Sequence, residues 1–276
     1  RVAGTKFAAT IFTNLGQDHL DFHGSMDAYF SAKAKLFTPQ YSNVCIVNRD
    51  DFFGVKLITA LSEESQVNLE TFGIDDVSQI VAEVGHLSFI WRGEKMQLVT
   101  GGYFNVMNAL AAANAAAKLG VATSDIAKGL AAADAIAGRF ESVSVGQKFG
   151  VVVDYAHTPE ALHNVLAATR KLINDSGRVI VVFGCGGDRD HQKRPKMGKV
   201  ASDLADVVFI TSDNPRLEDA SVIAKQIESG CNPTVKKSIY VILERRDAIA
   251  QAFSVARSGD IVVIAGKGHE STQTIG

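Results

Sequence analysis

The sequence predicts an α/β chain with a Rossmann-like C-terminal domain, and two observations carry that prediction. First, four apolar runs turn polar at their carboxyl ends: Gly150–Val153 into Asp154-Tyr155-Ala156-His157, Val179–Phe183 into Gly184-Cys185-Gly186-Gly187-Asp188-Arg189, Asp206–Thr211 into Asp213-Asn214-Pro215-Arg216, and Ile261–Ala265 into Gly266-Lys267-Gly268-His269-Glu270. Second, helical stretches alternate with these runs, a pattern that builds a parallel sheet wrapped by helices. Parallel strands deliver their carboxyl ends to one edge, where ligands bind at the switch point of the sheet. One site assembled from four strand tips is therefore expected.

Ahead of that series, Phe7–Thr13 reads as a strand, and the loop Asn14–Gly24 leads into a helix from Ser25 to Phe37 with Ser25 as its N-cap. Positions 40 to 100 read as shorter strands and loops, with Cys45–Val47 and Leu87–Trp91 the clearest strands and Asn48–Asp51 a turn. An alanine-rich helix runs from Asn105 to Leu119 and is stopped by Gly120; a second helix covers Ser124 to Ala133. The polar stretch Ser142–Gln147 precedes the alternating series, so the domains are expected at 1–141 and 142–276.

A chain of 276 residues is long enough to bury two cores. Its apolar fraction (46%) and charged fraction (21%) are those of a soluble protein, and a net charge of -2 gives no broad surface for nucleic acid or a membrane. Any anionic ligand must then be held by a local site. No apolar run approaches the ~18 residues of a spanning helix, and no signal peptide opens the chain. Cys45, Cys185 and Cys231 are odd in number and lack metal-ligand pairing, which fits a reducing compartment such as the cytoplasm. The chain opens at Arg1 and stops at Gly276 soon after a polar, site-like segment, and reads as a piece of something longer.

In the helix of 25 to 37, Lys33 has Tyr29, Phe30, Leu36 and Phe37 three and four positions away, which puts it on the apolar stripe and makes it a better candidate for burial than Lys35. A desolvated lysine loses its proton more readily, and the neutral amine can take up carbon dioxide as a carbamate or act as a base. The alternative is a lysine whose stem covers aromatic surface while its ammonium stays in water. Directly upstream, Asp18-His19-Leu20-Asp21-Phe22-His23 sets two carboxylates and two imidazoles in a loop. Oxygen ligands suit magnesium and one imidazole can complete such a shell, while solvated polar groups and helix caps are the alternative. Asn105 and Asn108 stand one turn apart after Gly101-Gly102. Their carboxamides could read a purine edge, or Asn105 could cap the helix.

The Gly184–Gly187 loop matches a dinucleotide fingerprint only in part, since the full Gly-x-Gly-x-x-Gly is missing. A tight turn with surface charges would explain it, except that Arg189, Arg216 and Glu270 fall at tips of the same sheet. Two guanidiniums can clamp carboxylates and a glutamate can receive an ammonium, a set suited to a zwitterionic amino acid. Asp154 is placed to accept ribose hydroxyls. No Gly-x-x-x-x-Gly-Lys-Ser/Thr phosphate loop occurs, so an ATP enzyme would need one upstream of Arg1.

With these residues in hand, the chain resembles the Mur ligases, ATP-dependent amide-forming enzymes of peptidoglycan synthesis. The resemblance rests on Thr13–Gly24, Ala32-Lys33, Gly138–Glu141, Asp154–Pro159, Phe183–Arg189, Asp213–Arg216 and Gly266–Glu270, and runs nearly end to end. It implies a partial ATP-binding central domain followed by a C-terminal domain for the incoming amino acid, in a bacterial cytoplasmic enzyme expected to act as a monomer. By the same resemblance, Lys33 as a carbamate and His19 hold Mg2+; Asn108, Arg139 and Asp154 contact ATP; and Arg1 touches the UDP-N-acetylmuramoyl dipeptide. Arg189, Asp213, Asn214, Pro215, Arg216, Gly266 and Glu270 bind meso-diaminopimelate, with Arg216 on the distal carboxylate that lysine lacks. An arginine facing no carboxylate would be left unpaired, which gives a physical basis for selectivity. The implied reaction activates the dipeptide carboxylate as an acyl phosphate that the amine then attacks, and the fragment alone is expected to be inactive. A lysine-adding ligase of the same family and a non-catalytic amino-acid-binding module are the rival readings.

Overall fold

The computed structural model describes residues 2, 4–17, 20–64, 66–173 and 176–274, apart from the side chains of 21 and 235–237. Two compact units divide the chain: Arg1–Val81, Leu87–Leu98 and Tyr103–Ala133 form the first, and Ala82–His86, Val99–Gly102 and Asp134–Gly276 the second. The longest continuous stretch of the second unit is Asp134–Gly276, and two short segments, Ala82–His86 and Val99–Gly102, belong with it.

In chain order the first part contains β1 (Thr10–Phe12), α1 (Leu20–His23), α2 (Met26–Ala34), β2 (Val44–Asn48), α3 (Phe52–Leu61), β3 (Asn68–Phe72), β4 (Val77–Ala82), β5 (Leu87–Trp91), β6 (Glu94–Leu98), α4 (Phe104–Lys118) and α5 (Thr123–Ala132). Strands β1, β2 and β3 form a parallel sheet in that order, and β4, β5 and β6 form a separate three-stranded sheet. Phe12, Phe30, Phe37, Cys45, Val47 and Leu57 pack into one core cluster, with Phe12 edge-on to Phe37 at a centroid distance of 5.9 Å.

Three local differences from the sequence reading stand out here. The loop after β1 contains the short helix α1. Helix α3 occupies a stretch read as loop: Asp51 caps it by accepting the Gly54 N–H at 2.9 Å, and Gly54, Leu57 and Leu61 turn inward at helical spacing. Tyr103, and not Asn105, is the N-cap of α4, so Asn105 is buried inside the first turn, where its Oδ1 accepts from the Asn108 amide at 2.9 Å. Lys33 is exposed, in keeping with the reading of a lysine whose stem covers aromatic surface while its ammonium stays in water. Helix α2 opens on Ser25, whose Oγ accepts the Ala28 N–H, but it ends at Ala34, and Phe30 is its buried residue. The Lys33 ammonium sits over the Tyr29 ring, 5.2 Å from its centroid, because a charged head is cheaper in water than in the interior.

The second unit contains β7 (Glu141–Ser142), β8 (Gly150–Asp154), α6 (Pro159–Leu172), β9 (Val179–Phe183), α7 (Lys193–Leu204), β10 (Val207–Ile210), α8 (Ala220–Glu228), β11 (Ile239–Val241), α9 (Arg245–Val255) and β12 (Ile261–Ala265). Its sheet has the order β11-β10-β9-β12-β8-β7, parallel except for β7, which runs antiparallel to β8. The chain leaves β8, builds β9, β10 and β11 outward, and returns to lay β12 between β8 and β9. That insertion reverses the direction of winding and brings the tips of β8, β12 and β9 side by side. Strand β9 is buried along its whole length, as central parallel strands are. Helix α9 packs Ala248 and Ala252 against Ile180, Val182, Phe209 and Val262.

Candidate functional site

The register levels the tips. Ala265 pairs with Asp154, Ile264 with Val182, and Ile210 with Phe183, so the polar segments that follow leave the sheet at one height. The four strand tips picked out in the sequence therefore do share one edge.

Two loops are fastened to each other there. The Gly187 N–H donates to the Asn214 carbonyl at 2.9 Å, and Arg216 Nη1 donates back to the Gly187 carbonyl at 2.6 Å. Gly187 has to be glycine for this approach, since a Cβ would lie 1.8 Å from the Pro215 carbonyl oxygen. Arg216 holds a left-handed φ of 52°, which aims its backbone N–H at the Thr274 carbonyl. A non-glycine residue in that region stores strain, a feature concentrated at ligand sites. Cys185 lies between these glycines, but burial pushes its thiol up to about 12, so it is packing and not a nucleophile.

Across the edge, Lys267 Nζ donates to Glu270 Oε2 at 3.0 Å and to Asn214 Oδ1 at 3.2 Å, and Asn214 Nδ2 donates to the same Glu270 oxygen at 3.2 Å. The Lys267 contact is the main cause holding the Glu270 carboxyl below its ordinary range. Glu270 thus already carries a cation of its own. Asp213 is buried beside Gly266, whose φ of 106° is a glycine conformation and whose α-carbon leaves no space for a side chain next to Asp213 Oδ2. Beneath them, buried Arg245 donates to the carbonyls of Ala265 (2.8 Å) and Ser212 (3.5 Å); burial lowers its pKa, while Asp213 and Glu270 oppose that shift. Arg189 is exposed on the rim of the glycine loop.

Asp154 is buried at the end of β8, with Oδ2 accepting the Phe140 N–H and Oδ1 the Ala156 N–H, both at 2.7 Å. Burial raises its pKa, and these two N–H groups work against that rise. Arg139, in the segment held by this contact, lays its guanidinium 4.7 Å from the Tyr155 ring centroid. The Tyr155 hydroxyl, whose pKa is raised first by burial and then by Glu270, reaches Glu270 Oε1 at 3.4 Å. A flat guanidinium displayed on an aromatic face beside a carboxylate suits a nucleotide in kind.

In the first unit Asn108 is exposed near the start of α4. Arg1 and His19 lie outside the described residues. Among the described residues no group of three or more His, Cys, Asp or Glu side chains could hold a metal ion. No described helix is long and apolar enough to cross a membrane.

Sequence reasoning missed Lys267, Arg245 and Arg194 as members of this edge. Lys267 stands inside a segment singled out for its neighbours. Arg245 follows the apolar Ile239–Ile242 stretch and so repeats the strand-tip pattern. Arg194 belongs to a polar helix and meets its partner Glu218 only through the fold.

Known proteins match this arrangement along the whole chain. The family model for the Mur ligase middle domain matches residues 1–116, and that for the Mur ligase glutamate ligase domain matches residues 138–268. The UDP-N-acetylmuramoyl-L-alanyl-D-glutamate--2,6-diaminopimelate ligase of Gloeobacter violaceus is 44% identical over all of this chain and 57% of its own length; that of Syntrophomonas wolfei is 42% identical over all of this chain and 58% of its own. The chain therefore spans less than two thirds of the curated relatives it matches. A solved structure bearing the same ligase name aligns with a TM-score of 0.60 at 33% identity, over 99% of this chain and 57% of that one. Folylpolyglutamate synthase of Mycobacterium tuberculosis aligns with a TM-score of 0.72 at 21% identity, over 94% of this chain and 60% of that one, and shares the fold. With both family models in chain order, and more than two positions in five identical to the Gloeobacter ligase from end to end, the chain belongs to the Mur ligase family.

Proposed function

We propose that the full-length protein carrying this chain is an ATP-dependent amide ligase of bacterial peptidoglycan synthesis, working in the cytoplasm and joining meso-diaminopimelate to UDP-N-acetylmuramoyl-L-Ala-D-Glu. The observation that carries this reading is the edge of the second unit, where the Asn214 carboxamide, Lys267 and Glu270 form one hydrogen-bonded set and the Arg216 guanidinium lies on the Gly187 carbonyl of the neighbouring loop. The names of the Gloeobacter and Syntrophomonas relatives, both diaminopimelate ligases, support it.

ATP, when bound, supplies the activation of the dipeptide carboxylate as an acyl phosphate. This chain's own residues bind and orient. Asn108, Arg139 and Asp154 are assigned to the nucleotide, and Arg1 to the muramoyl dipeptide. Lys33, as a carbamate, and His19 are assigned to Mg2+. Arg189, Asp213, Asn214, Pro215, Arg216, Gly266 and Glu270 are assigned to the amino acid. In that pocket Glu270 exchanges its Lys267 partner for the acceptor's ammonium, and Arg216 meets the distal carboxylate. Holding the amine at a fixed place converts a two-body encounter into a local one, which is the main advantage a ligase without a covalent nucleophile can offer.

The test is phosphate release by the full-length protein with ATP, Mg2+ and UDP-N-acetylmuramoyl-L-Ala-D-Glu, offered meso-diaminopimelate and L-lysine in parallel. Release with diaminopimelate alone supports the whole reading. Release with lysine keeps the ligase and removes Arg216 as a selector; release with neither leaves an amino-acid-binding module.

A further inference from the structure

Arg194 is fully buried, the largest such side chain among the described residues. Its guanidinium joins three other segments at once. Nη1 donates to Glu218 Oε2 (2.8 Å) and Gln226 Oε1 (2.7 Å), while Nη2 donates to Glu218 Oε1 (2.8 Å) and the Gly186 carbonyl (3.0 Å). Glu218 passes the connection on by accepting the Asp188 N–H at 2.5 Å, and its own N–H donates to the Pro215 carbonyl at 3.0 Å. The glycine loop carrying Arg189 and the loop carrying Arg216 are thereby tied to one buried fork. Nε of Arg194 has no hydrogen-bond partner. A buried charge with an unfilled donor is weak support for stability alone, since a well-packed apolar side chain in its place is often neutral or stabilising. What it does geometrically is tie the Gly186–Asp188 backbone, next to Arg189, to the Pro215–Glu218 turn that carries Arg216.

We propose that Arg194, acting through Glu218 and Gly186, is a positioning residue that sets the acceptor specificity of this edge by holding the two arginine-bearing loops in register. The proposal rests on the ligase reading above. Lysine in place of Arg194 keeps the charge but replaces a planar fork by a point donor, so it cannot hold Glu218 bidentately and reach Gly186 and Gln226 together.

The experiment uses the full-length protein with Arg194→Lys and, as a milder second variant, Glu218→Gln. Acceptor KM is measured beside the KM values for ATP and the muramoyl dipeptide, and amide hydrogen exchange is followed at Gly187, Asp188 and Glu218 and along β9. A misplacement of about 1 Å can cost on the order of a hundredfold, so acceptor KM is expected to rise roughly tenfold to a hundredfold while the other two stay within about twofold. Exchange should quicken at the three loop amides and stay slow in β9. Three KM values moving together, or an unchanged acceptor KM, overturn the proposal. If the wild type ligates no amino acid, the ligase reading falls separately; the tie between the loops is then judged by exchange, and loop amides unaffected by both variants refute it.

Discussion

The Phe140 backbone N–H donates to Asp154 Oδ2 at 2.7 Å, and this contact fastens the 138–141 segment to the tip of β8. Because Asp154 also accepts the Ala156 N–H, its loss leaves two buried donors without their acceptor. Unsatisfied buried donors cost about 1–3 kcal/mol each, so Asp154→Ala should lower stability by roughly 2–4 kcal/mol, and Asp154→Asn, which keeps one acceptor, by less. Urea unfolding of the full-length protein followed by circular dichroism measures this. An unchanged midpoint in the alanine variant would show that the carboxylate holds nothing.

Arg216 combines two properties that substitution can separate. Its φ of 52° suits glycine, and its guanidinium donates to the Gly187 carbonyl. Arg216→Gly should therefore relieve the left-handed strain while deleting the guanidinium, and Arg216→Ala should delete the guanidinium and keep the strain. Discrimination of meso-diaminopimelate over lysine is expected to fall in both variants, with stability falling further in alanine by about 1 kcal/mol or more, the usual scale of left-handed strain. A preference for diaminopimelate left intact in the glycine variant removes Arg216 from the acceptor site.

The exposed position of Lys33 sharpens its assignment. As a surface lysine stacked on Tyr29 it would contribute a few tenths of a kcal/mol to about 1 kcal/mol of cation–π energy, and its loss would leave turnover intact. As a carbamate it would carry a carboxylate that alanine cannot supply. The expected outcome is that Lys33→Ala abolishes phosphate release and that a short carboxylic acid added to the assay restores part of it. Full activity without the additive would return Lys33 to the surface.

How far the sequence could be read depended on the range of the interactions involved. The apolar runs ending in Asp154, Gly184, Asp213 and Gly266 are local signals, and a parallel sheet brings such ends together with no further information, so the edge was legible. For Lys33, helical spacing identified the aromatic neighbours but left two readings open, because it does not say where a long side chain ends; the exposed ammonium over Tyr29 matches the reading in which the stem covers aromatic surface. Arg194 and Glu218 were invisible for the opposite reason. Their partnership spans 24 positions and two elements, and neither residue looks unusual beside its own neighbours.

The same pair gives a pH dependence. Arg194 above all, with the Asp188 N–H and the nearby His191 imidazole adding to it, holds the Glu218 carboxyl at about 2, below its ordinary value of 4.5, against a smaller opposing effect of burial. A carboxyl that ionises more readily when folded adds stability wherever it is charged in both states, and that stability is present in full above 4.5. As pH falls from 4.5 toward 2, the unfolded chain takes up a proton that the folded chain refuses, and the contribution is lost. Glu218→Gln removes the titration. The stability gap between wild type and this variant, read from urea midpoints at pH 6, 4 and 3, should therefore be widest at pH 6 and narrow steadily at the lower values. A gap of constant size across that range would mean that Glu218 keeps an ordinary pKa in the folded protein and that its tie to Arg194 carries no ionic preference.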